Sequence, residues 1–274
     1  MIKKIIHLAD IHIRNNQRYE EYTEQLLKFI DKCKEICEPY EEDEVRIVIC
    51  GDIFHSKNNI SPELFSFTST FLRQLETIAR VYVIAGNHDL MVNNLGKKDA
   101  ITSLFETASF NNTFFLDREL DYHSGTLIDD NITWALYSIY DGFMIPDIQE
   151  SKINNENNKV IGLFHETIYG CKMDNGTITN EGMSSDIFKD CDAVMCGHIH
   201  KFQELKKNGI KIVYPSSLIQ QTFGESITQH GFCVWDIENL NYEFINIESQ
   251  YCRYDIEISS VDDLINDKEL LLNL

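Results

Sequence analysis

The spacing of apolar residues changes along the chain. Five short apolar runs, at residues 5–9, 45–50, 81–84, 160–164 and 193–196, have the length and flanks of buried strands. In the first half, amphipathic segments separate them. Tyr22, Leu26, Phe29, Cys33 and Ile36 recur at helical spacing and predict a helix over residues 17–38 with a core-facing stripe. Ser61-Pro62-Glu63 supplies a cap, a proline in the first turn and an acid, predicting a helix from there to about residue 80. That helix carries Leu64, Phe65, Phe67, Phe71, Leu72 and Leu75, more than one face can bury alone. A third helix is expected over residues 99–109, with Ile101, Leu104 and Phe105.

From about residue 113 strands take over, at 113–116, 125–128 and 132–140, then 202–206 and 210–214 across an Asn208-Gly209 hairpin turn, and later 231–237, 241–248 and 251–258. Residues 149–159 read as a mobile polar loop, and residues 166–182 as a long loop. Ser184 or Ser185 can cap a short helix. Helices that alternate with strands early, and strands that dominate late, predict an α/β fold: two sheets face to face with flanking helices, a four-layer α/β/β/α sandwich.

The chemistry sits where the five runs end. The first leads into Asp10-Ile11-His12 and the second into Gly51-Asp52. The third leads into Gly86-Asn87-His88-Asp89, the fourth ends at His165, and the fifth leads into Gly197-His198-Ile199-His200. Several strand ends on one sheet edge is where α/β proteins build sites. Asp10 and His12 share a parity on an extended strand end, which would point both to one side. His88 offers an imidazole for proton transfer, and Asp89 a carboxylate to orient that ring. His55 follows Asp52 closely enough to touch a substrate or orient a ligand.

A closed structural zinc site is not expected, because Asp10, His12, Asp52, Asn87, His165, His198 and His200 include no cysteine. Imidazole, carboxylate and amide oxygen suit Mn²⁺, Fe²⁺ or Zn²⁺ with open positions. Seven ligands exceed what one reactive ion can use, and suit two divalent ions that share Asp52. Two ions about 3.5–4 Å apart activate water and clamp both oxygens of an in-line phosphoryl displacement.

Charge and cysteines narrow the class. A formal charge of −20 over 274 residues argues against a protein that coats nucleic acid, though not against a nuclease whose metals supply local positive charge. Eight cysteines without a Cys-x-x-Cys pair read as reduced thiols of an intracellular protein. No apolar run approaches the roughly 18 residues of a membrane span.

The order Asp-x-His, Gly-Asp, Gly-Asn-His-Asp, lone His, Gly-His-x-His resembles the calcineurin-like metallophosphoesterases over about residues 3–236. The resemblance implies Asp10, His12, Asp52 and His200 as ligands of one ion, and Asp52, Asn87, His165 and His198 as ligands of the other. It also implies His88 as general acid, helped by Asp89. Ala9-Asp10-Ile11-His12, the segment from Gly51 to His55, and Tyr214-Pro215-Ser216-Ser217-Leu218 are similar to the SbcD-type nucleases of double-strand-break repair, especially phage and viral ones. That family usually has Gly where this chain has Ser216. Protein Ser/Thr phosphatases of the superfamily typically carry Asp-Arg-Gly after the second aspartate, whereas here Phe54-His55-Ser56 follows.

The resemblance implies a Mn²⁺-dependent exo- or endonuclease acting on DNA beside an SMC-like ABC-type ATPase subunit. Its alternatives are a phosphodiesterase or phosphatase on small-molecule or protein substrates, and a DNA-end scaffold without turnover. The apolar excess on residues 61–80 and 99–109 predicts a homodimer. Residues 1–250 are expected to form the nuclease domain and residues 251–274 the start of a truncated or minimal cap.

Overall fold

The computed structural model describes residues 1–94, 96–153, 155–173 and 175–253. Two six-stranded sheets lie face to face. The first has strands β1 (Lys4–Leu8), β2 (Val45–Cys50), β3 (Arg80–Ile84) and β4 (Thr113–Phe115) in parallel. The second has β5 (Gly125–Asp129), β6 (Ile132–Leu136), β7 (Lys159–His165) and β8 (Ala193–Gly197), then the hairpin β9 (Gln203–Lys207) and β10 (Ile210–Tyr214). The chain then returns to the first sheet as β11 (Gly231–Asp236) and β12 (Asn241–Asn246), each antiparallel to its neighbour. The order is β12-β11-β1-β2-β3-β4 in one sheet and β5-β6-β7-β8-β10-β9 in the other.

Strand parity explains the layers. Ile5, Val48, Cys50, Tyr82 and Ile84 face inward against Trp134, Leu136, Ile161, Leu163 and Met195. Their alternates, Ile6, Leu8, Ile47, Ile49, Val81 and Val83, face outward under α1 (Tyr19–Cys37), α2 (Pro62–Glu76) and α3 (Ala100–Thr107). Strands apolar on both faces are what a parallel sheet covered on both sides requires. The outer face of the second sheet is covered by short pieces: the one-turn helices Ile148–Lys152 and Ser185–Phe188, and the loop after β7.

Several boundaries differ from the pattern. The second helix stops at Glu76 and not near residue 80, because Arg80 is needed to open β3 beside Arg46. The run 132–140 breaks at Leu136, and Ser138 caps a single turn at Ile139–Asp141. In the polar stretch read as a loop, the Asp147 side chain accepts from Glu150 N–H and starts a helical turn. The hairpin turn behaves as its sequence predicts, with φ of 52° at Asn208 and 85° at Gly209. The expected strand 251–258 and cap lie mostly outside the described residues. The wide helix faces are largely covered within the chain: Phe65, Phe67 and Phe105 are half-buried against the core, and Phe105 packs on Phe110 and Phe115.

Candidate active site

The parallel strands bring their C-terminal ends to one edge, and the expected ligands meet there. They do so by a different route from the parity argument. Asp10, His12 and Asp52 all have positive φ, at 54°, 51° and 54°. Left-handed non-glycine residues cost of order 1–3 kcal/mol each and cluster at functional sites. The β1 and β2 extensions hold one another there through Asp10 N–H to Gly51 O (3.1 Å), His12 N–H to Asp52 O (2.9 Å) and Ile13 N–H to Ile53 O (2.8 Å).

Two donor groups result. Asp10, His12 and His200 form one, and Asp52, His165 and His198 the other, with the ligand atoms of each within 4.8 Å of one another. One oxygen faces both: Asp52 Oδ2 is 3.5 Å from His12 Nε2 and 3.3 Å from His165 Nε2. Asp52 Oδ1 is occupied by the His88 backbone N–H at 2.8 Å, which fixes the carboxylate's orientation. Asn87 Oδ1 lies 3.2 Å from His165 Nε2 and 2.8 Å from His198 Nδ1, completing the second group.

Three of the other ring nitrogens are committed, while His12 Nδ1 is buried without a hydrogen-bond partner among the described residues. His165 Nδ1 donates to Cys50 O (2.7 Å), which leaves Nε2 turned toward Asp52 and the second donor group. His200 Nδ1 meets Glu225 Oε1 at 2.9 Å, and His198 Nε2 faces Glu166 Oε1 at 3.4 Å. His200 Nε2 and His12 Nε2 stand only 2.9 Å apart. A buried and a half-buried imidazole with facing nitrogens, beside buried carboxylates, make a donor set that fits divalent cations.

Burial raises Asp10 above the usual carboxylate range. Burial would also raise Asp52, but the His165 and His12 imidazoles beside it outweigh burial and hold it low. His165 is the other half of that pair: burial lowers it, yet Asp52 pushes it up to about 10. Burial lowers His12 and His198, keeping both neutral and available as ligands.

His88 is beside the first group, its ring 4.7 Å from that of His12 and nearly perpendicular to it. Its orienter is not Asp89. His88 Nδ1 meets the His55 carbonyl at 2.7 Å, while the buried Asp89 carboxylate turns inward to accept from Phe54 N–H (2.9 Å), Asp52 N–H (2.8 Å) and Gly86 N–H (2.9 Å). Asp89 ties two strand-end loops together, because in so tight a turn consecutive side chains leave in different directions. His55 stacks on His88 at 5.6 Å, and Arg14 Nη1 donates to His55 Nε2 at 2.7 Å. Glu166, Glu225 and Arg14 had no motif to mark them, although Arg14 lies two residues past His12.

Missing atoms matter as well. A Cβ at Gly51 would sit 2.2 Å from His165 Nδ1, and one at Gly197 would sit 1.9 Å from the Cys50 carbonyl oxygen and 2.7 Å from His165 Nδ1. Ser216, where glycine is usual, has φ 79°, and its Oγ donates to Gln229 O (2.8 Å). The left-handed backbone explains the usual glycine, and the hydroxyl bond helps a serine hold it.

Residues 3–202 match the family model described as calcineurin-like phosphoesterase, and the chain belongs to that family. The family uses a dinuclear divalent metal site, for which the two donor groups are the candidates. Among proteins similar to this chain, R555 of Acanthamoeba polyphaga mimivirus, itself uncharacterized, is 35% identical over 91% of the chain, but the chain spans only 18% of that protein's length. Protein 244L of Invertebrate iridescent virus 6, which carries a phosphoesterase name, is 30% identical over 81% of the chain and 72% of its own length. An SbcCD nuclease subunit of Staphylococcus saprophyticus is 26% identical over 86% of the chain and 66% of its own length. Among the described residues no helix is long and apolar enough to cross a membrane.

Proposed function

We propose that this chain is a Mn²⁺-dependent DNA nuclease that hydrolyses backbone phosphodiesters in repair or recombination inside the cell. The observation that carries the reading is Asp52 Oδ2, placed between two donor groups at 3.5 Å and 3.3 Å. Similarity to a nuclease subunit adds the substrate class. Asp10, His12, Asp52 and His200 would hold one ion, and Asp52, Asn87, His165 and His198 the other. When bound, such ions supply an activated water and positive charge at the phosphoryl oxygens. Glu225 and Glu166 fix the ring orientation of His200 and His198. His88, held through Nδ1 by the His55 carbonyl, presents Nε2 and protonates the leaving oxygen.

The reading includes an SMC-like ATPase partner, since a body at −20 binds DNA weakly without added surface. It also includes a second copy of the chain, although the half-buried Phe65, Phe67 and Phe105 leave little bare surface for one. A monomeric mass in light scattering removes the second copy. The same charge of −20 favours the alternative, a phosphodiesterase or phosphatase on small or protein substrates. Digestion of end-labelled duplex and single-stranded DNA with Mn²⁺, Mg²⁺ or EDTA separates the readings. Cleavage with Mn²⁺ and none in EDTA is expected. Turnover of small diesters with intact DNA in every arm would transfer the assignment to the alternative.

A further inference from the structure

On the side of the site occupied by His55, two arginines stand without a paired carboxylate among the described residues. Arg14 donates to His55 Nε2, and the His55 ring is 5.6 Å from the rings of both His12 and His88. One imidazole therefore separates this guanidinium from the site. Arg253 arrives from the far end of the described chain. The Gln220 side chain clasps its backbone, accepting from its N–H at 2.6 Å and donating to its carbonyl at 3.0 Å. Arg253 Nη1 then donates to Gln221 O at 3.3 Å, the same oxygen that Arg14 Nη2 reaches at 3.4 Å.

Two like charges thus converge on one carbonyl, and among the described residues neither makes an ion pair. Arg18 reaches the neighbouring Gln220 carbonyl but is paired with Glu21. Three of the chain's seven arginines share this corner of a molecule at −20, beside the Glu21 carboxylate that pairs with Arg18 and the Glu225 carboxylate that holds the loop backbone. Unpaired guanidiniums placed together are suited to an oxyanion such as phosphate, whose oxygens can accept from the planar guanidinium fork in pairs.

An aromatic ring accompanies them. Phe223 is 57% exposed, and the Arg253 guanidinium carbon lies 5.7 Å from its ring centroid. Its loop is anchored to the site, because Glu225 accepts from Gln221 N–H (2.8 Å) and Thr222 N–H (3.0 Å) while meeting His200. Backbone-tracking cations beside an open aromatic face are the means by which proteins hold single strands.

We propose that Arg14, Arg253 and Phe223 form a subsite for the nucleotide next to the scissile phosphate of an unpaired strand, with its phosphate on the guanidiniums and its base on the ring. The inference rests on the nuclease reading and narrows its substrate to single-stranded ends or overhangs. In a duplex the base faces are already stacked, so the ring gains nothing from them.

The test is fluorescence anisotropy of a labelled oligothymidylate of about ten nucleotides and of a matched duplex, in EDTA so that neither is cleaved. Wild-type protein is expected to prefer the single strand. Phe223→Ala, at an exposed position, should weaken single-strand binding by about 5- to 150-fold and duplex binding little, and Phe223→Trp should restore it. Arg253→Ala should lower the slope of log affinity against log salt by about 0.7. Equal losses on single strand and duplex would overturn the unpaired-base assignment. DNA cleavage by wild type, with unchanged single-strand affinity in Phe223→Ala, would remove the subsite and leave the nuclease. Failure of wild type to bind or cleave any DNA would remove both.

Discussion

The two ends of the parallel strands use similar residues and treat charge in opposite ways. At the N-terminal ends of β2 and β3, Arg46 grips Asp129 of the facing sheet through two bonds, at 2.6 and 2.9 Å. Tyr82 (2.9 Å) and Arg80 (3.4 Å) complete the carboxylate's shell. Around them the Met1 amino group meets Asp130, Lys3 meets Glu44 and Lys4 meets Asp236. At the C-terminal ends like also meets like: His12 Nε2 faces His200 Nε2 at 2.9 Å, and Arg14 and Arg253 share the Gln221 carbonyl, beside mixed pairs such as Asp52 with His165. Charges are matched where they hold the sheets together, and kept partly like against like at the edge where the candidate ligands gather.

The sharpest way to break the contrast is Asp52→Asn. Loss of the shared oxygen should empty both ion positions and reduce turnover to background. Elemental analysis showing full metal content in that variant would end the bridging role. Next in size is His88→Asn, expected to keep both metals and slow cleavage by roughly 10²–10⁴-fold; lost metal would instead make His88 a ligand.

At the opposite end the effect should fall on stability alone. Asp129→Asn leaves Arg46 buried without its partner and should cost about 3 kcal/mol in chemical denaturation. Burial would raise the Asp129 pKa, but the Arg46 guanidinium outweighs burial and holds it below the ordinary carboxylate range. A carboxyl held lower in the folded chain than in the unfolded one adds stability above its ordinary pKa. That increment should fade as pH falls below about 4. A flat difference between wild type and variant across that range would count against the pair. The smallest effect is expected for Glu225→Gln, about 10- to 100-fold in affinity for one ion, read by metal titration. No change there would leave Glu225 a loop anchor only.

Much of the active edge was readable because its residues come in short motifs directly after apolar runs, where a strand must end and a loop must turn. The fold class followed from the same runs. Other features had no local signature. Arg46 and Asp129 lie far apart in sequence and pair only once the sheets are stacked, and Arg14 and Arg253, equally distant, meet only at the Gln221 carbonyl of the folded chain. Glu225 sits in a loop whose composition resembles any polar turn. Asp89 misled because adjacency to His88 suggested contact, whereas its carboxylate serves three backbone amides.

The glycines around His165 carry a consequence for the protein's mutability. Neither Gly51 nor Gly197 contributes a functional side chain, yet one added methyl group at either would collide with the His165 imidazole. A randomised library that spared every reacting group but admitted alanine at these two positions should yield almost no active clones. Some indispensable positions in this sequence are indispensable for the volume they leave empty.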